Sequence, residues 1–238
     1  MKALLMAAGV GTRISRYLNG IPKCCVPVNN VSLIKYTFEM LKRKGIHDIA
    51  IVTGYKQEHI LKQLEGYQYT HFENPFFDVT NSIASTWFAQ EFLNADDDYM
   101  IMNADVFVEE AVIDILLQAE DSPLFLADST RIEGADYKFN WQENVLIKYG
   151  KELTANETTG EYVGIAKIAA RDIEFCKSVL NSLIQQQKHS YWWEDIFYRS
   201  SDIKPVMVKD IKGNFWAEVD YIEDYERIKA YVAEKYYG

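Results

Sequence analysis

Gly9, Gly11, Thr12 and Arg13 follow directly on an apolar run, and Lys23 comes after a short excursion. Glycine lets a backbone turn sharply and approach a ligand closely. Small residues at Ala7, Ala8, Gly9 and Gly11 leave backbone N–H groups able to face phosphate oxygens, and Arg13 and Lys23 add fixed positive charge. That combination suits a nucleoside triphosphate, with Arg16 adding to a local basic patch. Gly-x-Gly alone fits any strand-to-helix turn. The whole string Leu5-Met6-Ala7-Ala8-Gly9-Val10-Gly11-Thr12-Arg13, with Pro22-Lys23 behind it, is far more specific. A second stretch, Tyr191-Trp192-Trp193-Glu194-Asp195, sets three aromatics before two acids, and Trp141, Tyr162 and Trp216 add further rings. Ring faces attract cations, and a carboxylate beside them adds Coulomb attraction, so an ammonium group is one expected ligand. Core packing is the competing expectation, above all for Trp192 and Trp216.

The elements that must position these residues read as α/β. Residues 3–8 form an apolar strand. Ser32 is placed to cap a helix to about residue 44, with Ile34, Phe38 and Leu41 on one face, and Gly45 ends it. Ile49-Ala50-Ile51-Val52 is a second buried strand, and strand–helix–strand at this spacing predicts a parallel pair. Gly54-Tyr55 then lies at the carboxyl end of that strand, where α/β folds bind ligands. Further helices are predicted over 57–64, 83–93, 110–119, 169–187, 193–200 and 221–236. Further strands are predicted over 69–73, 99–102, 124–128, 162–168, 206–208 and 214–217, with two short ones within 137–149. Asn29-Asn30 is a turn, and Asp105 sits where the strand over 99–102 meets a loop. No repeat, low-complexity tract or Pro/Gly/Ser linker divides the chain, so residues 1–238 read as one domain. The expected architecture is a Rossmann-like mixed, mostly parallel sheet flanked by helices.

The N-terminal string resembles the L-x-A-G-x-G-[ST]-R…P-K motif of the sugar-phosphate nucleotidylyltransferase superfamily. Within it the chain is most similar to small bacterial CTP-dependent enzymes acting on phosphocholine or aminoethylphosphonate. The resemblance is strong over residues 1–60 and patchier beyond. It implies catalytic roles for Arg13 and Lys23 and a nucleotide site drawing on Ala7, Ala8, Gly9, Gly11, Thr12, Gly54 and Tyr55. An N-x-x-x-S pattern at Asn81 and Ser85 places those two beside the base. Asn103-Ala104-Asp105 matches the element that holds Mg²⁺, and Trp216-Ala217-Glu218-Val219-Asp220 matches the late x-E-[IV]-D element, which implies metal ligation by Asp105 and Asp220. Trp193 and Glu194 match a Trp-Asp segment of the phosphocholine enzymes, while Asp195 stands where they carry Asn. Gly160-Glu161-Tyr162-Val163-Gly164 resembles an acceptor-side segment of the phosphonate-using relatives, which implies an ammonium partner for Glu161. The implied acceptor set is Glu161, Tyr162, Trp193, Glu194 and Asp195. Residues 1–130 would mainly hold the nucleotide and 131–238 the acceptor.

Composition narrows the remaining classes. A net charge of −10 repels polyanions, so no nucleic-acid partner is expected. No apolar run is long enough to cross a bilayer, no leader pattern opens the chain, and three cysteines make no disulfide framework; a cytoplasmic protein is the expectation. His47, His59, His71 and His189 lack metal-ligand spacing and are expected at the surface, Cys24-Cys25 is expected to be buried, and no Gly-x-Ser-x-Gly elbow is present. The expected partners are CTP with Mg²⁺ and a small phosphorylated, amine-bearing acceptor, phosphocholine first and 2-aminoethylphosphonate second, with a homodimer left open. Nucleotidyl transfer onto a sugar or polyol phosphate, and nucleotide binding without catalysis, are the alternatives.

Overall fold

The first apolar run becomes β1 (Lys2–Ala7), an interior strand of a nine-stranded sheet. The computed structural model describes residues 1–238 except 15, 16, 19, 29 and 238, so the expectations for Arg16 and for a turn at Asn29 lie outside the described residues. Along β1, Ala3, Leu5 and Ala7 enter one core while Leu4 and Met6 enter the other. Burial on both faces is why the strand reads as unbroken apolar sequence.

A short ribbon of β2 (Pro27–Val28) and β3 (Val31–Ser32) leads into α1 (Leu33–Arg43). Ser32 stands at the helix start, but its hydroxyl makes no capping bond. The Leu33 N–H donates instead to the Val26 carbonyl at 2.9 Å. Next come β4 (Ile49–Thr53), α2 (Gln57–Gln63) and β5 (Thr70–Glu73), giving parallel pairs β1–β4 and β4–β5. Helix α3 (Ser82–Phe88) precedes β6 (Tyr99–Asn103), which lies parallel to β1 on its other side. The helix stops at Phe88 rather than near residue 93. The Tyr99 hydroxyl donates to the Phe92 carbonyl (2.7 Å) and accepts the Asn94 N–H (3.0 Å), drawing this segment into turns.

The chain continues through β7 (Val106–Val108), α4 (Glu110–Gln118), β8 (Leu124–Asp128), the hairpin β9 (Lys138–Gln142) and β10 (Val145–Gly150), and β11 (Gly160–Ile168). It ends with α5 (Ile173–Gln185), α6 (Asp195–Tyr198), β12 (Met207–Asp210), β13 (Trp216–Glu218) and α7 (Ile222–Tyr237). Helices α5 and α6 are shorter than expected because 3-10 and single turns flank them.

The sheet order is β5-β4-β1-β6-β11-β8-β12-β10-β9, with β11 and β10 running against the other strands. It is a mixed α/β sheet flanked by helices. The antiparallel β11 starts where its neighbours end: Glu161 pairs with Asp128 at the end of β8. One edge of the sheet therefore gathers the ends of β1, β6 and β8 and the beginning of β11.

The late strand does not complete this sheet as expected. Both sides of β6 are taken by β1 and β11, so β13 pairs antiparallel with β7 in a separate ribbon, Glu218 opposite Val106. Helices α1, α2 and α4 cover one face through Ile34, Phe38, Ile60 and Leu116; α3, α5 and α6 cover the other through Ile83, Leu180 and Phe197. A third cluster joins Ile228 and Val232 of α7 to Ile14, Val28 and Leu33. Among the described residues, no helix is long and apolar enough to cross a membrane.

Phe125 of β8 is wholly buried, and its ring lies 5.5–5.7 Å from those of Tyr162, Trp193, Phe197 and Tyr198. Phe125→Ala should cost about 3–5 kcal/mol in urea unfolding. Val79→Ala, at an exposed position, should stay within about 0.5 kcal/mol; equal costs would remove the Phe125 ring from the core.

Candidate functional site

A cavity of about 300 Å³ opens where β1 and β6 end. β1 delivers Ala7, and Ala8, Gly9, Gly11 and Arg13 continue the wall. Gly11 has φ +64°, and a Cβ there would come within 2.6 Å of the Lys23 side chain. Glycine thus lets the Lys23 stem lie flat against the loop. Lys23 opens a 3-10 turn whose Cys24 and Cys25 are buried.

Asp220, just past β13, receives hydrogen bonds from both Arg13 and Lys23. Lys23 Nζ also lies 3.4 Å from Asp105, just past β6. Glu218 stands beside them, and one oxygen from each of Asp105, Glu218 and Asp220 lies within 4.8 Å of the others. The Glu218 carboxyl is pushed up by burial and by the nearby Asp105 charge, with Lys23 opposing. Asp105 and Asp220 are thus met by Lys23 and Arg13, and Glu218 is the acid of the three that resists ionising. Three carboxylates with no sulfur or nitrogen ligand form a hard-oxygen donor set, which can hold a divalent cation such as Mg²⁺.

Further lining residues of this one cavity fall into two chemically different groups, its arms. One is lined by Asn74, Phe77, Thr80, Asn81, Ser82 and Ser85, with no ionisable side chain. The other is lined by Asp136, Tyr137, Lys151, Tyr162, Trp192 and Glu194. Lys151 donates to Asp136 at 2.7 Å, and its Nζ lies 5.9 Å from the Trp192 ring centroid. Burial would raise the Asp136 carboxyl, but Lys151 and Arg13 outweigh it and hold it low. Trp192 meets Tyr137 edge-on with centroids 5.2 Å apart. Glu194 is 6% exposed and has no basic partner among the described residues. Burial pushes its carboxyl up to about 8, against a lowering contribution from its own backbone N–H. The Tyr162 hydroxyl beside it is buried without a well-formed hydrogen bond.

Of the residues singled out from sequence, Ala7, Ala8, Gly9, Gly11, Arg13, Lys23, Asn81, Ser85, Asp105, Tyr162, Glu194 and Asp220 line this cavity. Six do not. Thr12 is exposed on the loop. Gly54 packs behind Phe77, where a Cβ would meet that ring's Cβ at 2.6 Å, and Tyr55 donates its N–H to Ala8 while its ring packs edge-on against Phe77. Glu161 lies in a neighbouring cavity of about 200 Å³, where it accepts the Asp136 N–H (2.7 Å) and pairs with Arg131 (2.6 Å). Trp193 is wholly buried; its indole N–H donates to Asn103 (3.3 Å) and its backbone N–H to Ser82 (2.9 Å). Asp195 accepts the Trp192 N–H and the Arg199 Nε, each at 3.0 Å. Trp192, expected in the core, is instead 38% exposed and lines the cavity, whereas Trp216 is buried with its indole N–H on Asp128. The four histidines are exposed.

Glu218, Asn74, Asp136, Tyr137 and Lys151 line the cavity without having been singled out. For Glu218 a signal existed: it is the other acid of the 216–220 string, two residues before Asp220. The others reach the site from loops and a hairpin that carry no local mark.

The MobA-like NTP transferase domain matches residues 3–161. The chain is 26% identical to the CTP:phosphoglutamine cytidylyltransferase of Campylobacter jejuni, over 95% of this chain and 98% of that one. It is 27% identical to the choline-phosphate cytidylyltransferase of Streptococcus pneumoniae, over 96% and 97%. A solved structure of CTP:phosphocholine cytidylyltransferase from Streptococcus pneumoniae superposes with a TM-score of 0.81 at 21% identity, covering 97% of this chain and 98% of that one.

The buried Glu194 carboxyl has a measurable consequence. It ionises near 8 in the fold but near 4.5 in an open chain, so the native state holds an extra proton between those values. Its contribution is present at low pH and is lost as pH rises through that window. Glu194→Gln should therefore match the parent near the bottom of the window and exceed it by on the order of a few kcal/mol above pH 8 in urea unfolding. A variant less stable than the parent at high pH would mean that the fold favours the charged form.

Proposed function

The chain belongs to the MobA-like NTP transferase family, and from that premise we propose that it transfers CMP from CTP to a small phosphorylated, amine-bearing acceptor, releasing pyrophosphate. The observation that carries the reading is the meeting of Arg13, Lys23, Asp105, Glu218 and Asp220 between a neutral arm and a charged, aromatic one. The cytosine base and the amine follow the relatives, which act on phosphoglutamine and choline phosphate by name.

The acceptor phosphate or phosphonate is itself the nucleophile and is ionised near neutral pH, so no protein nucleophile is needed. Its oxygen attacks the α-phosphorus in line, and pyrophosphate leaves. The protein's work is alignment and charge neutralisation. Arg13 and Lys23, both resting on Asp220, are the cations available to the triphosphate. Lys151 lies between the carboxylates and the aromatic arm, where it can steer the acceptor's anionic group. Glu194 then meets the ammonium or amide end, against the rings of Tyr137, Tyr162 and Trp192, and a bound ammonium would draw its buried carboxyl toward the charged form. Asp105, Glu218 and Asp220 would hold Mg²⁺, which when bound neutralises phosphate oxygens. In this reading one domain does the work, residues 1–130 mainly holding the nucleotide and the remainder mainly the acceptor. Transfer onto a sugar phosphate is disfavoured by the rings standing where hydroxyl partners would be needed.

Pyrophosphate release from CTP and Mg²⁺ should occur with phosphocholine, 2-aminoethylphosphonate or phosphoglutamine and not with a hexose 1-phosphate. Preference for the hexose phosphate would overturn the acceptor assignment. Asp105→Asn and Asp220→Asn should each lower kcat by about 10²–10³-fold; Asp105→Asn should leave Tm unchanged, whereas Asp220→Asn should lower it because Arg13 and Lys23 lose their shared partner. Lys151→Met should raise KM for the acceptor while leaving KM for CTP within a factor of about two, as expected where uniform binding of one substrate is lost. If KM for CTP rose instead, Lys151 would belong to the nucleotide side.

A further inference from the structure

We propose that Asn74 sets the base selectivity of this site by holding the Ser85 hydroxyl as a hydrogen-bond donor toward the cavity. The inference rests on the nucleotidyl-transfer reading above. The triphosphate belongs at the centre, with Arg13 and Lys23. Of the two arms, the one lined by Asn74, Phe77, Thr80, Asn81, Ser82 and Ser85 carries no charge, which suits an uncharged base.

Asn74 and Ser85 are 1% and 2% exposed. One backbone donor orients the Asn74 amide. The Phe76 N–H donates to Asn74 Oδ1 at 3.0 Å, so the other side-chain atom is the nitrogen. That nitrogen donates to Thr80 Oγ1 (3.1 Å) and to Ser85 Oγ (3.0 Å). Thr80 in turn donates its own hydrogen to the Phe76 carbonyl at 2.6 Å and is fully committed. Ser85 accepts from Asn74, and among the described residues its hydroxyl hydrogen meets no acceptor. Ser82 also accepts, from the Trp193 N–H, but it is half-buried and water can serve its hydrogen. Ser85 is thus a buried donor awaiting an acceptor.

A base that presents a ring nitrogen lone pair satisfies it. A base that presents N–H leaves the hydroxyl hydrogen buried and unmet, a loss that discriminates strongly between otherwise similar ligands. Where the Ser85 hydroxyl meets the N3 position, cytosine offers a lone pair and uracil an N–H, so a donor at that position favours CTP over UTP. Asn74 acts through Ser85 and is a positioning residue.

The test compares kcat/KM for CTP and UTP, with one acceptor, in the parent, Asn74→Asp and Ser85→Ala. The carboxylate of Asn74→Asp still accepts the Phe76 N–H but can only accept from Ser85, turning that hydrogen away from the cavity and presenting a lone pair. The CTP/UTP ratio should fall about 10- to 100-fold in Asn74→Asp. In Ser85→Ala it should fall because CTP loses more than UTP. An unchanged ratio in either folded variant overturns the proposal. Thermal unfolding identifies a variant that fails to fold, and Ser85→Ala then decides alone. Calorimetric binding of CTP and UTP gives the same ratio without turnover. An enzyme that binds CTP selectively but never releases pyrophosphate would overturn the transfer reading and leave the Asn74 assignment standing.

Discussion

The site depends on charge compensation at Asp220. Its carboxylate accepts from Arg13 and Lys23, residues more than 190 positions away in sequence. The segment after β13, the loop after β1 and the turn at Lys23 are held together by that contact. Asp105 and Glu218 crowd the same point, and burial makes their combined negative charge costly. A centre of three acids and two cations is well matched to ligands carrying both signs: a polyphosphate for the cations and a divalent ion for the acids.

The two arms of the cavity are kept apart by packing rather than by charge. Trp193 is the joint between them. Its backbone holds Ser82 at the start of α3, its indole holds Asn103 at the end of β6, and its chain neighbours Trp192 and Glu194 face the other arm. One buried ring system thus ties the neutral arm, the acidic centre and the aromatic arm to a single core. Glu161 has a comparable duty on the outer side. Its carboxylate clamps the Asp136 N–H and Arg131, and Arg131 lies over the Trp216 ring 4.9 Å away, behind the strand that bears Glu218.

Much of the fold was legible because its signals are local. The double-sided burial of β1 and β4 writes itself as apolar runs, and α1 and α4 as amphipathic periods. The loop after β1 was legible as a cavity wall because its glycines and the cations Arg13 and Lys23 fall in one short stretch. Boundaries were less so. Helix α3 ends early through a tyrosine hydroxyl supplied by a later strand, and β13 is excluded from the main sheet because β6 has no open edge.

The sequence by itself determined the α/β class, and it marked the glycine-rich stretch after β1, with Asp105 and Asp220 singled out through the motifs they resemble, all of which the structure brings to one cavity. It also marked the run of rings and acids over residues 191–195. Only the tertiary structure decided which members of that run meet the cavity: Trp192 and Glu194 face it, while Trp193 and Asp195 turn into the protein. It likewise brought in Glu218, Asn74, Tyr137 and Lys151 and sent Glu161 to a structural clamp. The reason is geometric: successive side chains around a tight turn point in different directions, and which of them meets solvent depends on neighbours contributed by α3, β6 and the β9–β10 hairpin, far away in the chain.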